Sequence, residues 1–319
     1  MTDTANSIAI IGGGMAGLSC ASALAAAWYS PVIFDKGRGP GGRMAARRAE
    51  VSGETVSFDH GAQFFTADTP EFAAQIARWQ SSGVVELWSA AGEGAYVGTP
   101  GMNGPIKGMA EALDVRWGTR VETLQREDAA WTLGFEGSGE TQNFGQVICA
   151  IPAEQAAVLL ADAAPDNAAQ AAAIQSDPCW ALMAAFAAPL DLPDTVKGEG
   201  DAPIAWAARN SAKPLRSGAE CWVIHASADY SRSILEHSKE GAADALLDSF
   251  AKQTGADLPE TLHTAAHRWL YAFPQVTAPE SHIWDVEAGL GVCGDWLAGP
   301  RVEDAFLSGR ALAAAMLQS

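Results

Sequence analysis

The chain opens on a short unbroken apolar run, Ser7-Ile-Ala-Ile-Ile11, and a second, Pro31-Val-Ile-Phe-Asp35, follows a glycine turn and an alanine-rich stretch. Runs this short, bounded by glycine or proline, predict buried strands, and the stretch between them predicts a helix, together a β-α-β unit. Apolar residues then recur at helical spacing over 71–80 and 105–113. From 115 to 151 the pattern is one of short strands around a glycine-rich turn at 134–139, ending in Val147-Ile-Cys-Ala-Ile151. Alanine-rich helical signals fill 153–174, and aromatic-rich strands at 180–187, 204–208, 221–226 and 265–271 enclose one clear helix near 240–252. The chain closes on Gly289-Leu-Gly-Val-Cys-Gly-Asp-Trp296, a loop and a helix from 302 to 317, with no internal repeat or low-complexity linker.

Composition narrows the possibilities. With 319 residues the chain has the length of about two domains. Its 38 acidic and 20 basic side chains leave a net charge of −18. That balance predicts no nucleic-acid partner, because such a partner needs a basic face, and no docking on anionic membranes. The five cysteines, Cys20, Cys149, Cys179, Cys221 and Cys293, are far apart and make no C-x-x-C, so buried reduced thiols are expected and no metal site. Residues 8–27 have the apolar character of a secretion leader. No lysine or arginine precedes them and four glycines interrupt them, so a cytoplasmic protein is expected.

Gly12-Gly-Gly14-Met-Ala16-Gly17 fits the pattern G-x-G-x-x-G between the first strand and the first helix. In such a turn the first glycine makes the bend, the second admits a pyrophosphate, and the third lets helix and strand pack closely. Asp35 ends the next strand where a ribose-binding acid belongs, and a carboxylate there repels a 2′-phosphate. FAD and NAD satisfy this equally. The following segment, 36–48, carries Lys36, Arg38, Arg43, Arg47 and Arg48 among glycines, five cations in an acidic chain. Arginine forks match phosphate geometry, and a second glycine-and-arginine loop suits an extended FAD better than NAD. The similar strand-to-helix turn at the C-terminal end predicts a nucleotide domain built from 1–70, 100–155 and 285–319. A substrate domain is expected at 71–99 and 156–284.

The fingerprint, Asp35 and Gly41-Gly42-Arg43 together resemble the glutathione-reductase-like flavoprotein clan in its amine-oxidase branch. Four further segments resemble the bacterial renalase-like FAD proteins: 58–66 (Phe-Asp-His-Gly-Ala-Gln-Phe-Phe-Thr), 206–214 (Trp-Ala-Ala-Arg-Asn-Ser-Ala-Lys-Pro), 266–271 (Ala-His-Arg-Trp-Leu-Tyr), and 293–309 with Cys-Gly-Asp-Trp and Leu-Ser-Gly. The resemblance implies an α/β fold, a Rossmann-type FAD-binding domain with an inserted α+β substrate domain, as in p-hydroxybenzoate-hydroxylase-like two-domain flavoproteins. It implies non-covalent FAD held by Gly12, Gly14, Ala16, Gly17, Asp35, Lys36, Arg38, Gly42, Arg43, Met44, His60, Gly61, Ala62 and Gln63. It further implies an adenine contact at Val121, and flavin contacts at Gly294, Asp295 and the helix start Arg301, Val302 and Glu303. Phe64 departs from the family's tyrosine, and Trp28-Tyr29 replace its glycine-type helix end, which should alter only the turn.

For the active site, a strand over 265–271 places His267, Trp269 and Tyr271 on one face and Arg268 on the other. We expect the aromatic face, with Gln63 and the polar cluster Arg209, Asn210 and Lys213, to meet an anionic substrate, and Trp206, Trp269 and Trp296 to form an apolar slot. The resemblance implies an oxidase that moves a hydride from 2- or 6-dihydro isomers of NAD(P) to flavin, with O2 reoxidising the flavin to give H2O2. An anionic dinucleotide and O2 would then be the partners. Amine oxidation and a flavin-bound sensor without turnover are the alternatives.

Overall fold

The structure is a computed structural model and describes residues 7–127, 130–216 and 218–319. It divides into two compact units, Met1–Gly42 with Ile106–Ser176 and Pro274–Ser319, and Arg43–Pro105 with Asp177–Phe273.

The first unit is built on a six-stranded sheet in the order Ile283–Asp285, Leu290–Val292, Gln146–Cys149, Ile8–Ile11, Val32–Asp35, Asp114–Trp117. All neighbours are parallel except the first pair, which is antiparallel. Every residue of Ile8–Ile11 is buried, as a central parallel strand covered on both faces requires. The sequence turns from this strand into the helix Met15–Ala26, which leads back to Val32–Asp35 on one side, while Gln146–Cys149 lies on the other. The carboxyl end of Ile8–Ile11 is therefore a switch point, the place where open α/β sheets bind ligands. The last helix, Val302–Met316, packs along Met15–Ala26, and Ser19 Oγ donates to Phe306 O across the pair at 2.7 Å. An antiparallel sheet of Val121–Glu127, Ala130–Phe135 and Thr141–Phe144 shares a core with the helix Ala153–Leu160.

The second unit holds a five-stranded sheet in the order Thr195–Lys197, Ile204–Arg209, Glu220–Ala226, Ser176–Phe186, Thr261–Pro274. Its two faces have separate cores. One packs Leu182, Trp222 and Ile224 against Ala242, Leu246 and Phe250 of the helix Lys239–Thr254. The other packs Met183, Ala185, Cys221 and Val223 against Val51, Val56 and Phe58 of a hairpin, Arg47–Val51 with Glu54–Phe58. The helix bounds follow from local chemistry: Ser238 caps the start by accepting from Gly241 N at 3.0 Å, and Gly255, at φ 68°, ends it.

The unit boundaries differ from the domain boundaries read in the sequence. Residues 43–70 fall in the second unit because their hairpin packs on its sheet, and 156–176 fall in the first because Ala156, Leu160, Ala168 and Ala171 join its core. All five cysteines are free and buried, and burial pushes the thiols of Cys149, Cys179 and Cys221 up to about 12. No helix among the described residues is long and apolar enough to cross a membrane. No group of three or more His, Cys, Asp or Glu side chains among them is placed to hold a metal.

Candidate functional site

In the first unit, Gly12 has φ 112°, and a Cβ on Gly17 would lie 2.0 Å from Gly12 O, so the turn and the helix meet backbone to backbone. In front of Gly14, the residue capping the helix Met15–Ala26, a Cβ would meet nothing within 4 Å. No side chain caps that helix and no acid occupies its first turn. An open space facing uncapped N–H groups and a positive helix end is the donor set a diphosphate needs. Asp35 accepts from Gly13 N at 2.7 Å and Gly37 N at 2.6 Å, one bond to each carboxylate oxygen, which leaves each oxygen capacity for a ribose hydroxyl. These residues fit the pyrophosphate and adenosine ribose of FAD. Ala16 is buried under the turn, Arg38 and Gly42 are exposed, and Val121 packs in the core at the start of its strand. Lys36 is drawn away from the expected phosphate role, because its Nζ donates to Gln155 Oε1 at 2.8 Å.

At the C-terminal turn, Gly294 N donates to Ser308 Oγ at 2.9 Å, and Asp295 is buried at the start of the short helix Asp295–Ala298. Arg301 precedes the last helix, whose first residue is Val302. Its guanidinium pairs with Asp304 at 2.9 Å and lies 3.7 Å from the buried Glu303, so it is tied to its own helix. Trp296, expected in an apolar slot, is a core residue of the first unit, with Nε1 donating to Ile151 O at 3.1 Å.

The second unit gathers the polar residues of the 58–66 and 206–214 segments around one carboxylate. Asp59 is fully buried between Arg216 at 2.5 Å and Lys213 at 3.3 Å, and it also accepts from Met102 N at 2.8 Å. Burial alone would raise its pKa, but the two cations outweigh that and hold it below the ordinary value. Lys213 lies 5.3 Å from the Trp88 ring centroid and donates to Gln63 Oε1 at 3.1 Å, and burial lowers its pKa to about 8. Gln63 Nε2 in turn donates to Asp59 O and to Gly61 O, and it lies 3.4 Å from His225 Nε2. Asn210 accepts from Asp59 N at 3.1 Å and donates to Ser57 O at 2.7 Å. This network fixes the backbone of 57–63.

That backbone presents an aromatic cluster. His60 stacks on Trp269 with centroids 5.2 Å apart, His267 meets both rings edge-on at 4.9 and 4.3 Å, and Trp269 Nε1 donates to His60 O at 2.9 Å. Burial is the main cause that lowers His60, His225 and His267 to about 4, so all three are neutral at pH 7. Gly61 passes beneath Arg43: Ala62 N donates to Arg43 O at 2.8 Å, and a Cβ on Gly61 would lie 2.0 Å from that oxygen. Met44 is buried beside this contact. Tyr271 is half-buried further along the His267 strand, and Arg268 points the other way, to Leu235 O at 2.7 Å. Phe64 and Trp206 form a tilted pair with centroids 5.3 Å apart.

Two expectations are corrected here. Arg209 is held by the protein rather than offered to a substrate: it pairs with Asp194 at 2.9 Å and with Glu220, donates to Leu190 O and Leu192 O, and lies over Trp222. Lys213 is sealed and paired with Asp59 rather than poised as an anion clamp. Asn210 and Gln63 are engaged within the network, Asn210 with the backbone of Ser57 and Asp59, and Gln63 with the backbone of Asp59 and Gly61 and with Lys213. Asp59, Arg216 and His225 escaped sequence reading; Asp59 lies in the 58–66 segment, but the two cations paired with it are more than 150 residues away.

A switch-point glycine turn with a ribose acid, together with a separate unit carrying a neutral aromatic cluster, defines a nucleotide-dependent oxidoreductase. Residues 10–78 match the NAD(P)-binding Rossmann-like domain and residues 81–317 match the flavin-containing amine oxidoreductases. The chain belongs to the flavin-containing amine oxidoreductase family, and it is an FAD-dependent oxidoreductase. The fold is shared by a candidate protoporphyrinogen oxidase from Exiguobacterium sp. 255-15, with TM-score 0.77, 12% identity, and 98% of this chain and 99% of that one covered. A putrescine oxidase solved with putrescine bound gives TM-score 0.71 at 14% identity over 98% and 99%. Cyclohexylamine oxidase from Brevibacterium oxydans IH-35A gives 0.66 at 11% over 98% of both chains.

Proposed function

We propose that the protein is a renalase-like oxidase, with a p-hydroxybenzoate-hydroxylase-like domain arrangement, whose substrates are the 2- or 6-dihydro isomers of nicotinamide dinucleotides. The observation that supports this most is the neutral state of the cluster. His60, His225 and His267 are held unprotonated, so they have no proton to give and are weak bases at pH 7, and Asp59, Lys213 and Arg216 are paired with one another out of contact with water. FAD, when bound, supplies the two-electron acceptor that takes the hydride and passes the electrons to O2, giving H2O2. A dihydropyridine that loses hydride becomes an aromatic cation and needs no proton removed. The flat faces of Trp269 and His60 suit such a ring, and the proposed task of Gln63, Asn210 and Lys213 is to keep the segment carrying His60 in place. On this reading Gly12, Gly14, Gly17 and Asp35 hold the cofactor's diphosphate and ribose, and Arg43 and the 60–62 backbone belong to the flavin contacts.

Anaerobic mixing of the purified holoprotein with these isomers should discharge the flavin absorbance within seconds. Its second-order rate constant should show no inflection near pH 6.5, because the cluster histidines stay neutral through that range. A second reading, amine oxidation, draws on the family and on the Phe64–Trp206 pair, whose rings could wall an alkyl chain. Discharge by simple amines, with none by the dinucleotide isomers, would select it.

A further inference from the structure

We propose that Arg47, the Nδ1 edge of His60 and His267 form an anion subsite that receives a phosphate or carboxylate carried by the substrate. The inference deepens the oxidase reading above and rests on it for the identity of the substrate.

Register places the arginine. In the hairpin Arg47 is opposite Phe58, Ala49 opposite Val56 and Val51 opposite Glu54. Opposed residues share a face, and residues two apart along a strand do so too. Val51, Val56 and Phe58 lie in the core against the five-stranded sheet, so Arg47 continues the sheet-facing row at the end where that row leaves the core. Phe58 stacks on His263 at 5.8 Å, and His267 lies on the same side of that strand four residues on. The guanidinium is thus directed along the face that carries His263, His267 and His60. Burial lowers the pKa of all three, and the charge of Arg47 lowers each further, in His60 after the effect of His267.

The chemistry of the three groups is unspent. Arg209, Lys213 and Arg216 are paired with carboxylates, whereas Arg47 has no ion-pair partner among the described residues. His60 is buried, and its Nδ1 is shielded from water with no hydrogen-bond partner. Buried polar atoms are almost always satisfied, and an orphan beside an unpaired arginine marks the place of a ligand. A guanidinium fork and neutral imidazole N–H groups together suit an oxyanion.

The test compares wild type, Arg47→Gln and Arg47→Lys as holoproteins. Lys252→Gln, an exposed charge paired with Asp248 on another element, serves as the control. For dihydronicotinamide dinucleotide, Arg47→Gln should raise KM about five- to tenfold, with the loss falling on KM rather than kcat and partial rescue in Arg47→Lys. For dihydronicotinamide riboside, which lacks phosphate, KM should not move. The histidine NMR midpoint of His267 should rise in Arg47→Gln, reporting the removed charge independently of turnover. Titration with inorganic phosphate and with acetate tells a phosphate-preferring site from a carboxylate-preferring one. Equal KM values for dinucleotide across the Arg47 series would overturn the proposal, as would equal losses for riboside and dinucleotide. Loss of FAD from Arg47→Gln in place of a substrate effect would assign the anion to the cofactor's diphosphate and overturn it too. If wild type fails to oxidise the dihydro isomers, the oxidase reading falls while the subsite is judged on phosphate and acetate binding alone. Equal binding by wild type and Arg47→Gln would then reject it.

Discussion

Asp59 shows how one side chain sets the conditions for its neighbours. Its carboxylate answers two cations away from water, and removing it leaves both uncompensated. Asp59→Ala should cost about 3–5 kcal/mol, read as a lowered urea midpoint, since a broken buried pair strands a charge. Trp28 lies at the opposite extreme, 96% exposed, with φ 69°. It occupies the left-handed position after the first helix: Tyr29 N donates to Leu24 O and Trp28 N to Ala25 O, the Schellman pattern that glycine usually completes. The substitution was expected to alter the turn, but the turn is kept and the residue carries the strain. Trp28→Gly should therefore raise the thermal midpoint, by the equivalent of about 1 kcal/mol. A lower midpoint would mean that the exposed indole makes a contact worth more than the strain.

Elements were legible wherever a signal was local. The helix Lys239–Thr254 could be read because Ser238 and Gly255 bracket it, and the first strand because four apolar residues stand between polar neighbours and a glycine turn. The hairpin at 47–58 was hidden: its first strand begins with two arginines that read as the end of a basic loop, and its burial depends on a sheet more than a hundred residues away. The fingerprint turn carries the clearest prediction at this level. Gly17→Val places side-chain atoms where Gly12 O already sits, so the protein should purify without visible flavin absorbance and with a lowered melting temperature. Full flavin content in that variant would mean that the turn does not bind the cofactor.

Across the molecule, the fold class and cofactor site were readable because their residues lie within one β-α-β unit. The cluster was not, because it unites residues from 47 to 269 that share no spacing rule. That cluster also governs acid stability. His60 and His225 titrate near 4 in the folded protein against 6.5 unfolded, so between those values the unfolded chain binds more protons. Stability is therefore fully present above about pH 6.5 and falls as pH drops toward 4. Lys213, near 8 when folded against 10.5 unfolded, adds a rise in stability across that upper interval. Urea midpoints measured from pH 4 to 10 should show both slopes; a level curve between pH 4 and 6.5 would contradict the buried histidines.

The burial of the cysteines has a consequence for endurance. Peroxide attacks thiolates, and a thiol whose pKa stands near 12 supplies almost none at neutral pH. An oxidase that releases H2O2 would then carry little in its core for its own product to damage. Native protein should react with a thiol reagent only on unfolding, when all five sulfurs respond, and should lose no sulfur to oxidation over thousands of turnovers.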